Sequence, residues 1–397
     1  MIIEVNGAGF VNKGAELMLR TTVRRFADQD PNIVCVVAAG RDKPPAKVGA
    51  IGAQFIWPSS SLFGMMGRYK LQLAMNNVAS RLVNPERLHP YGLINRFEVD
   101  ALIDISGYAF GDHWGPGPMK RFIALSDFYK KRNKPVIMLP QMMGPFDRDE
   151  TRGLFRKLAG NCTLMYARDD VSLEAAKKTA PDANFQLCPD ITICSQEPTG
   201  ATPATSSSNR VCIVPNIRMT DSGTSPWPVE EYVNFLAAVA KQVLAKDHTP
   251  VMVLHDALGR DGDLAKSVAE KLDGNIKMFS EPDPKKLKTY ISESKFLIGS
   301  RFHSLVAALS SGVPVIAIGW AHKYKQLLSD YGQERFNLVG ANDSKSCFEM
   351  VDELVNDETF RFSKDTIIQK NLHLRARVND MWQEVFQKLG LPGQNAV

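Results

Sequence analysis

The sequence of 397 residues lacks the patterns that would assign it quickly to a metal-dependent or hydrolytic class. It has no Cys-X-X-Cys pair, no His-Glu-X-X-His and no paired Cys/His cluster, so no metal-binding motif is evident. The Gly-X-Ser-X-Gly of serine hydrolases is missing as well. Its longest uncharged run, 304–321, is interrupted by Gly312 and Pro314, which favours a helix, a turn and a strand over a membrane span.

The net charge of the chain is also small. The chain carries a formal charge of +5, too small by itself to indicate a nucleic-acid-binding protein, and the basic block lacks interleaved aromatics. The excess is local, because residues 43–97 hold seven basic residues and one acidic residue. Their net charge is +6, whereas that of the rest of the chain is −1. This block predicts a face that meets something anionic, or an ordinary solvated surface. Its basic residues are Lys43, Lys47, Arg68, Lys70, Arg81, Arg87 and Arg96.

The six cysteines are scattered through apolar surroundings, and a chain of this size does not need disulfides to hold its core. We therefore expect free thiols in a reducing cytoplasm. The first residues, MIIEVNGAG, predict a strand and not a signal peptide.

Short apolar runs alternate with amphipathic segments along most of the chain, which predicts parallel sheets covered by helices on both faces. The polar stretch 195–209 contains only one charge and separates two such series. We expect two Rossmann-like domains, at 1–196 and 210–358, with a linker at 197–209 and a helical tail at 359–397. Ligands in such folds bind beyond the carboxyl ends of the strands, so the strand-to-helix loops are where chemistry is expected.

Three loops of the first half carry polar groups after a strand. Asn12 and Glu16 belong to a glycine-rich loop that opens a helix, whose free N–H groups suit an anion. The spacing matches neither a dinucleotide fingerprint nor a Walker loop. Asp104 and Gln141 end later strands, where each could contact a sugar hydroxyl or serve only as a structural cap.

The second half contains the strongest pattern, GSRFHSLVAALSSGVPVIAI at 299–318. Arg301 and His303 stand where a buried strand gives way to a helix, so a fixed cation, free N–H donors and an acid/base group coincide. Arg218 likewise follows a strand, and would face a ligand unless it pairs with a structural carboxylate. These three residues predict a site for a phosphate or carboxylate.

Together these motifs resemble the polysaccharide pyruvyl transferase family over about residues 3–335. The resemblance rests on their order along the chain, with 299–318 the most specific block. The matching segments are NKGAE at 12–16, DISGYAFGD at 104–112, PQMMGP at 140–145, ARDDVS at 167–172, Pro189-Asp190 and HKYKQL at 322–327.

The resemblance implies a fold like that of GT-B glycosyltransferases, with two Rossmann-like domains facing across a cleft and C-terminal helices packing back. It also implies transfer of a pyruvyl group from phosphoenolpyruvate to a sugar as a cyclic ketal, with no further cofactor. Matched by motif, Arg301 and Arg218 bind phosphoenolpyruvate and His303 transfers the proton. Asn12, Glu16, Asp104 and Gln141 are then expected on the acceptor side, in the first domain.

Acceptors in this family are often lipid-linked or polymer-bound sugars. The segment 62–83 mixes apolar and basic residues, which fits a helix at the inner membrane face, a site for an anionic acceptor, or an ordinary surface helix. Two other functions remain open from the residues alone: a GT-B glycosyltransferase using a nucleotide sugar, and a non-catalytic sugar-binding protein.

Overall fold

The protein is described here from a computed structural model, which covers residues 1–7, 9–57, 75, 78–195, 209–220, 227–255, 261–319, 322–339 and 343–392. The predicted linker and most of the 62–83 segment lie outside the described residues. The chain divides into two compact units. Unit 1 contains Met1–Phe10, Met18–Ile191 and Arg377–Val397, and unit 2 contains Val11–Leu17 and Thr192–Ala376.

Unit 1 is built on a parallel sheet whose strands are the short apolar runs of the sequence. Its order is β4-β3-β2-β1-β5-β7-β8-β9, and β6 pairs with the end of β7. The strands are β1 (Ile2–Asn6), β2 (Val34–Ala38), β3 (Ala53–Trp57), β4 (Leu93–Asn95), β5 (Ala101–Asp104), β6 (Tyr108–Phe110), β7 (Val136–Met143), β8 (Leu164–Ala167) and β9 (Phe185–Leu187).

Helices connect these strands as parallel pairing requires. Asp169 caps the last helix of this series, where its carboxylate accepts a hydrogen bond from the Ser172 N–H at 2.7 Å. The described helices are α1 (Lys13–Gln29), α2 (Pro45–Ala50), α3 (Pro116–Lys130), α4 (Asp149–Asn161) and α5 (Asp170–Thr179).

Unit 2 repeats the design with a parallel sheet of order β12-β11-β10-β13-β14-β15. Its strands are β10 (Arg210–Val214), β11 (Thr249–Leu254), β12 (Lys277–Ser280), β13 (Phe296–Gly299), β14 (Val315–Gly319) and β15 (Asn337–Val339). Its helices are α6 (Val229–Ala245), α7 (Asp261–Glu270), α8 (Pro284–Ser292), α9 (Phe302–Leu309), α10 (His322–Asp330), α11 (Ser344–Val355) and α12 (Asp357–Lys388).

The central strand β10 shows why this sheet is stable. Val211 and Ile213 join one apolar cluster, and Cys212 and Val214 join another on the opposite face. Both faces are therefore buried, which explains why the strand sequence is continuously apolar and not alternating.

The C-terminal helix α12 packs back as expected, and its last turns belong to unit 1. Trp382 packs edge-on against Phe26 of α1, with ring centroids 5.6 Å apart. Glu384 accepts hydrogen bonds from the Tyr166 hydroxyl at 2.7 Å and from the side-chain amide of Gln186 at 2.6 Å. No described helix is long and apolar enough to cross a membrane.

Not every basic residue of the block 43–97 lies on a surface that could meet an anionic partner. Arg96 lies in the interior of unit 1, where its guanidinium pairs with Glu4 at 3.2 Å, and Glu4 also accepts a hydrogen bond from Tyr129. Lys43 is half-buried, and burial lowers the pKa of its ammonium group. Arg68 and Lys70 lie outside the described residues. Part of this positive charge therefore stabilises the fold and cannot meet a partner.

Candidate active site

The loop between β13 and α9 carries the strongest motif, and it is fixed by hydrogen bonds to Ser300. The Ser300 carbonyl accepts from the Asn216 side-chain amide and from the Tyr324 hydroxyl, each at 2.8 Å. The Ser300 hydroxyl lies 2.9 Å from that of Tyr232. Three elements of unit 2 thus hold the residue that precedes Arg301, and the backbone at the start of α9 is fixed before any ligand arrives.

Arg301 forms an ion pair with Asp261, the first residue of α7. The Asp261 carboxylate accepts from Nη2 at 2.6 Å and from Nε at 2.8 Å, and it is fully buried. Its other oxygen accepts the Ile217 N–H at 2.9 Å. Asp261 therefore orients the guanidinium and also ties down the loop that precedes Arg218.

Arg218 lies in a short 3-10 helix, Ile217–Thr220, directly after β10, and its side chain is exposed. Its backbone N–H donates to the Asn216 side chain at 3.1 Å. Because β10 and β13 are paired neighbours, Arg218 and Arg301 both follow the carboxyl edge of one sheet.

His303 occupies the first turn of α9 and packs against the glycine-rich loop near the start of the chain. A Cβ on Gly14 would lie closer than 3.0 Å to three atoms of the imidazole. Both residues belong to unit 2, because Val11–Leu17 groups with it. Any larger residue at position 14 would therefore clash with the imidazole and force the ring to move.

Asn12 and Glu16 belong to this same segment, so the expectation that they lie in the first domain is wrong. The exposed Asn12 accepts the Gly14 N–H at 2.8 Å through its side chain, as a residue at a helix start does. Glu16 is buried and lies 3.5 Å from the ammonium group of Lys13. Lys13 is also buried, and it donates to the Pro282 carbonyl.

His255 follows β11 and lies near His303, Arg301 and Lys13. Its pKa is lowered to about 3, first by burial and then by these three neighbours. His255 is therefore neutral at physiological pH. Arg301 and Lys13 each lie beside a carboxylate, that of Asp261 and that of Glu16.

Asp104 and Gln141 come together in unit 1, at the carboxyl ends of β5 and β7. The Gln141 amide donates to the Asp104 carboxylate at 2.9 Å, which also accepts from Asn6 at 2.6 Å and from the Ser106 hydroxyl at 2.9 Å. Both side chains are fully buried, and burial raises the pKa of Asp104. In this structure the two residues hold the strand ends together.

Arg168, which belongs to the ARDDVS motif, pairs with Asp190 at 2.9 Å in the interior of unit 1.

Sequence reasoning missed Asp261 altogether. It also missed the grouping of Lys13 with the Arg301 loop. A carboxylate at the start of α7, just after β11, was the available signal, since a partly buried arginine at a strand end needs a counterion.

The two units are Rossmann-like α/β units, and together they define the GT-B fold class, as predicted. Solved structures similar over nearly the whole chain include S. aureus MnaA with UDP, at 12% identity and TM-score 0.61, covering 100% of this chain and 99% of that one. The Neisseria meningitidis UDP-GlcNAc 2-epimerase bound to UDP-GlcNAc has 10% identity and TM-score 0.58, with 92% and 93% covered. A Rickettsia africae glycosyltransferase has 14% identity and TM-score 0.54, with 97% and 98% covered.

The family follows from the sequence match. The family model for polysaccharide pyruvyl transferase matches residues 12–322, and the chain belongs to this family. It is accordingly a transferase. A comparison with curated proteins finds no match.

Proposed function

We propose that this protein transfers a pyruvyl group from phosphoenolpyruvate to two hydroxyls of a sugar in a cell-surface polysaccharide or its precursor, forming a cyclic ketal. The observation that carries the proposal is the placement of Arg218, Arg301 and His303 beyond the carboxyl edge of the unit 2 sheet, with Asp261 orienting Arg301. Phosphoenolpyruvate bears a phosphate and a carboxylate, and both anions need fixed cations.

The reaction balances without an added cofactor. A proton joins C3 of the enol, and one sugar hydroxyl attacks C2 and loses its proton. The C2–O bond to phosphate then breaks, and the second hydroxyl forms the second C–O bond at C2. Of the two hydroxyl protons, one replaces the proton given to C3 and the other leaves on inorganic phosphate. The protein must therefore supply an acid/base group, together with cations that bind the phosphate and the carboxylate of the donor.

His303 is the proposed acid/base, since an imidazole exchanges protons near neutral pH and its ring is held in place by packing on Gly14. Arg301 is proposed to bind the donor. Its guanidinium is oriented by Asp261, and a planar fork suits phosphate or carboxylate. Arg218 follows the neighbouring strand and is proposed as the second anchor.

Phosphate release tests this assignment. The purified protein, given phosphoenolpyruvate and a sugar acceptor, should release inorganic phosphate, and mass spectrometry should find the pyruvate ketal on the acceptor. His303→Gln keeps a similar volume and should lower the rate by about 100-fold or more. The matched control His373→Gln alters an exposed histidine on α12 and should leave the rate unchanged. Undiminished turnover by the His303 variant would remove His303 from the mechanism.

A second function, glycosyl transfer from a nucleotide sugar, has one observation in its favour. Two structures of similar fold were solved with UDP or UDP-GlcNAc. Incubation with UDP-sugars in place of phosphoenolpyruvate separates the two, because UDP release without phosphate release would support the nucleotide-sugar donor. If neither donor turns over with a broad set of acceptors, a non-catalytic sugar-binding role is favoured.

We also propose that the reaction takes place in the cytoplasm. All six cysteines are free, as suits a reducing cytoplasm. For the segment 62–83 we propose contact with the inner membrane face or with a lipid-linked acceptor. Flotation with anionic and neutral liposomes at two salt concentrations tests it, and equal recovery in every condition would leave the segment an ordinary surface helix.

A further inference from the structure

Three aromatic rings meet in the loop that follows β6 in unit 1. The Tyr108 and His113 rings are nearly parallel, at an interplanar angle of 6° with centroids 6.2 Å apart. Trp114 stands almost perpendicular to both, at 5.6 Å and 76° from Tyr108 and at 4.8 Å and 82° from His113. We name Tyr108, His113 and Trp114 the aromatic cluster.

The aromatic cluster faces solvent although its residues contact one another. Trp114 is 44% exposed and His113 is exposed, while Tyr108 is half-buried. Covering a large aromatic side chain with an apolar partner is favourable by about 2 kcal/mol, so an exposed indole in an ordered group is a feature to be explained.

Its position in the fold is that of a ligand site. β6 pairs with the carboxyl end of β7 at Met142 and Met143, so the loop continues from the carboxyl edge of the unit 1 sheet. In open parallel sheets ligands bind beyond this edge. The Asp104–Gln141 pair lies at the same edge, at the ends of β5 and β7.

Close packing and hydrogen bonds hold the loop at Gly111 and Asp112. Gly111 packs so closely on the Gly144 carbonyl that a Cβ would not fit. The Asp112 carboxylate accepts the N–H groups of Asp147 at 2.7 Å and Arg148 at 3.3 Å, and also the Thr151 hydroxyl. A ring surface fixed in this way loses little conformational entropy on binding, which favours recognition of a small ligand.

The chemistry of the rings selects the ligand. A pyranose has an apolar C–H face, which packs on an indole, and hydroxyls at its rim, which need hydrogen-bonding partners. The aromatic cluster offers both, since Tyr108 and His113 carry polar atoms at their ring edges. Burial raises the pKa of the Tyr108 hydroxyl, and the charge of Asp169 raises it further, so this hydroxyl is a hydrogen-bond donor at neutral pH. The indole stands perpendicular to the other two rings, which makes a corner for a puckered ring and not a slot for a flat base.

We propose that the aromatic cluster is the platform on which a pyranose ring of the acceptor sugar stacks, with Trp114 against its C–H face. This inference rests on the proposed function for the identity of the acceptor, but the binding surface itself does not require phosphoenolpyruvate.

Indole NMR signals test the binding directly. The chain has five tryptophans, and Trp114→Phe assigns the Trp114 signal in the ¹⁵N-labelled protein. Methyl β-D-galactopyranoside, methyl β-D-glucopyranoside and methyl α-D-mannopyranoside are titrated separately, with UMP as a comparison. We expect at least one glycoside to shift the Trp114 signal and to leave those of the buried Trp227 and Trp382 in place. No shift with any glycoside, or a shift with UMP alone, would overturn the proposal.

Kinetics separate this inference from the proposed function. Trp114→Ala should raise the KM for the sugar acceptor by about tenfold and leave the KM for phosphoenolpyruvate unchanged. Tyr91→Ala, at an exposed aromatic residue of the same unit, is the matched control and should change neither constant. An unchanged acceptor KM in Trp114→Ala refutes the platform while ketal formation stands. Glycoside shifts at Trp114 in a protein that never consumes phosphoenolpyruvate refute the ketal reaction while the platform stands.

Discussion

The imidazole of His303 occupies the space that a side chain on Gly14 would fill. The two residues are far apart in sequence, yet the loop at 11–17 and the start of α9 belong to one unit. This contact brings the glycine-rich loop near the start of the chain against the Arg-Phe-His block near residue 300. The absence of a side chain at position 14 lets the backbone approach the ring closely enough to fix it.

Gly14→Ala should therefore inactivate the enzyme without unfolding it. The added methyl group must displace the imidazole of His303, and misplacing the proposed acid/base should lower the rate by about 100-fold. Phosphate release from phosphoenolpyruvate measures the loss, and thermal unfolding checks the fold. Gly153→Ala is the control, because Gly153 lies in α4 with open space around it, and alanine there should stabilise by about 0.5–1 kcal/mol. Full activity in Gly14→Ala would contradict the role of the contact.

Asp261→Asn should weaken donor binding. The variant removes the charge that pairs with Arg301 at 2.6 Å, so the guanidinium loses its fixed orientation. We expect the KM for phosphoenolpyruvate to rise by about tenfold or more, since a charged hydrogen bond contributes about 1.5–3 kcal/mol. The control is Asp263→Asn in the same helix, where the carboxylate is exposed and lies 3.7 Å from Lys266. Equal KM values in the two variants would show that Arg301 needs no partner.

The stability of the protein should fall as the pH drops below about 6.5, the pKa of an unfolded histidine. The folded pKa of His255 is about 3, so the unfolded chain takes up this proton first and is favoured by it. The free energy of unfolding should fall by about 1.4 kcal/mol per pH unit from this group. Urea unfolding between about pH 6.5 and 5, above the range of ordinary carboxyl groups, measures the slope.

His255→Asn should flatten that slope, because the side chain no longer titrates. His373→Asn alters an exposed histidine and should retain it. A slope identical in all three proteins would mean that another group controls the acid sensitivity.

Asp104→Asn should destabilise unit 1 by about 1–3 kcal/mol, since it turns an amide N–H₂ toward donors that Asp104 now satisfies. Chemical denaturation measures the change. The exposed Asp182→Asn serves as the control, with an expected change within about 0.5 kcal/mol. A loss of acceptor binding with no loss of stability would instead indicate that Asp104 contacts the sugar.

Much of the fold is predictable because it follows from local patterns. The alternation of apolar runs and amphipathic segments predicts strands joined by helices, and in unit 2 the helix α6 (Val229–Ala245) does connect β10 to β11. The short strands β4 and β9, three residues each, carry too little periodicity to be recognised, and pairing to their neighbours defines them.

The site is predictable only in part. Arg301 and His303 are visible because a cation and an imidazole at a strand end form a dense local pattern. Asp261 is not visible in this way. Gly14 belongs to the NKGAE motif, but its packing against His303 is not visible. These contacts join residues about 40 and 290 positions apart along the chain. Arg96 was interpreted incorrectly from the sequence. It was counted in the basic block 43–97 as part of a possible anion-binding face, but its side chain is buried against Glu4.

Helix α12 makes the order of synthesis matter. Phe26 is synthesised long before Trp382 and Phe386, which pack on it. The core of unit 1 therefore stays incomplete until these two residues have left the ribosome. A nonsense mutation that removed only the final turns of α12 would leave the apolar surface around Phe26 open, and chaperone binding to the N-terminal unit would be its first consequence.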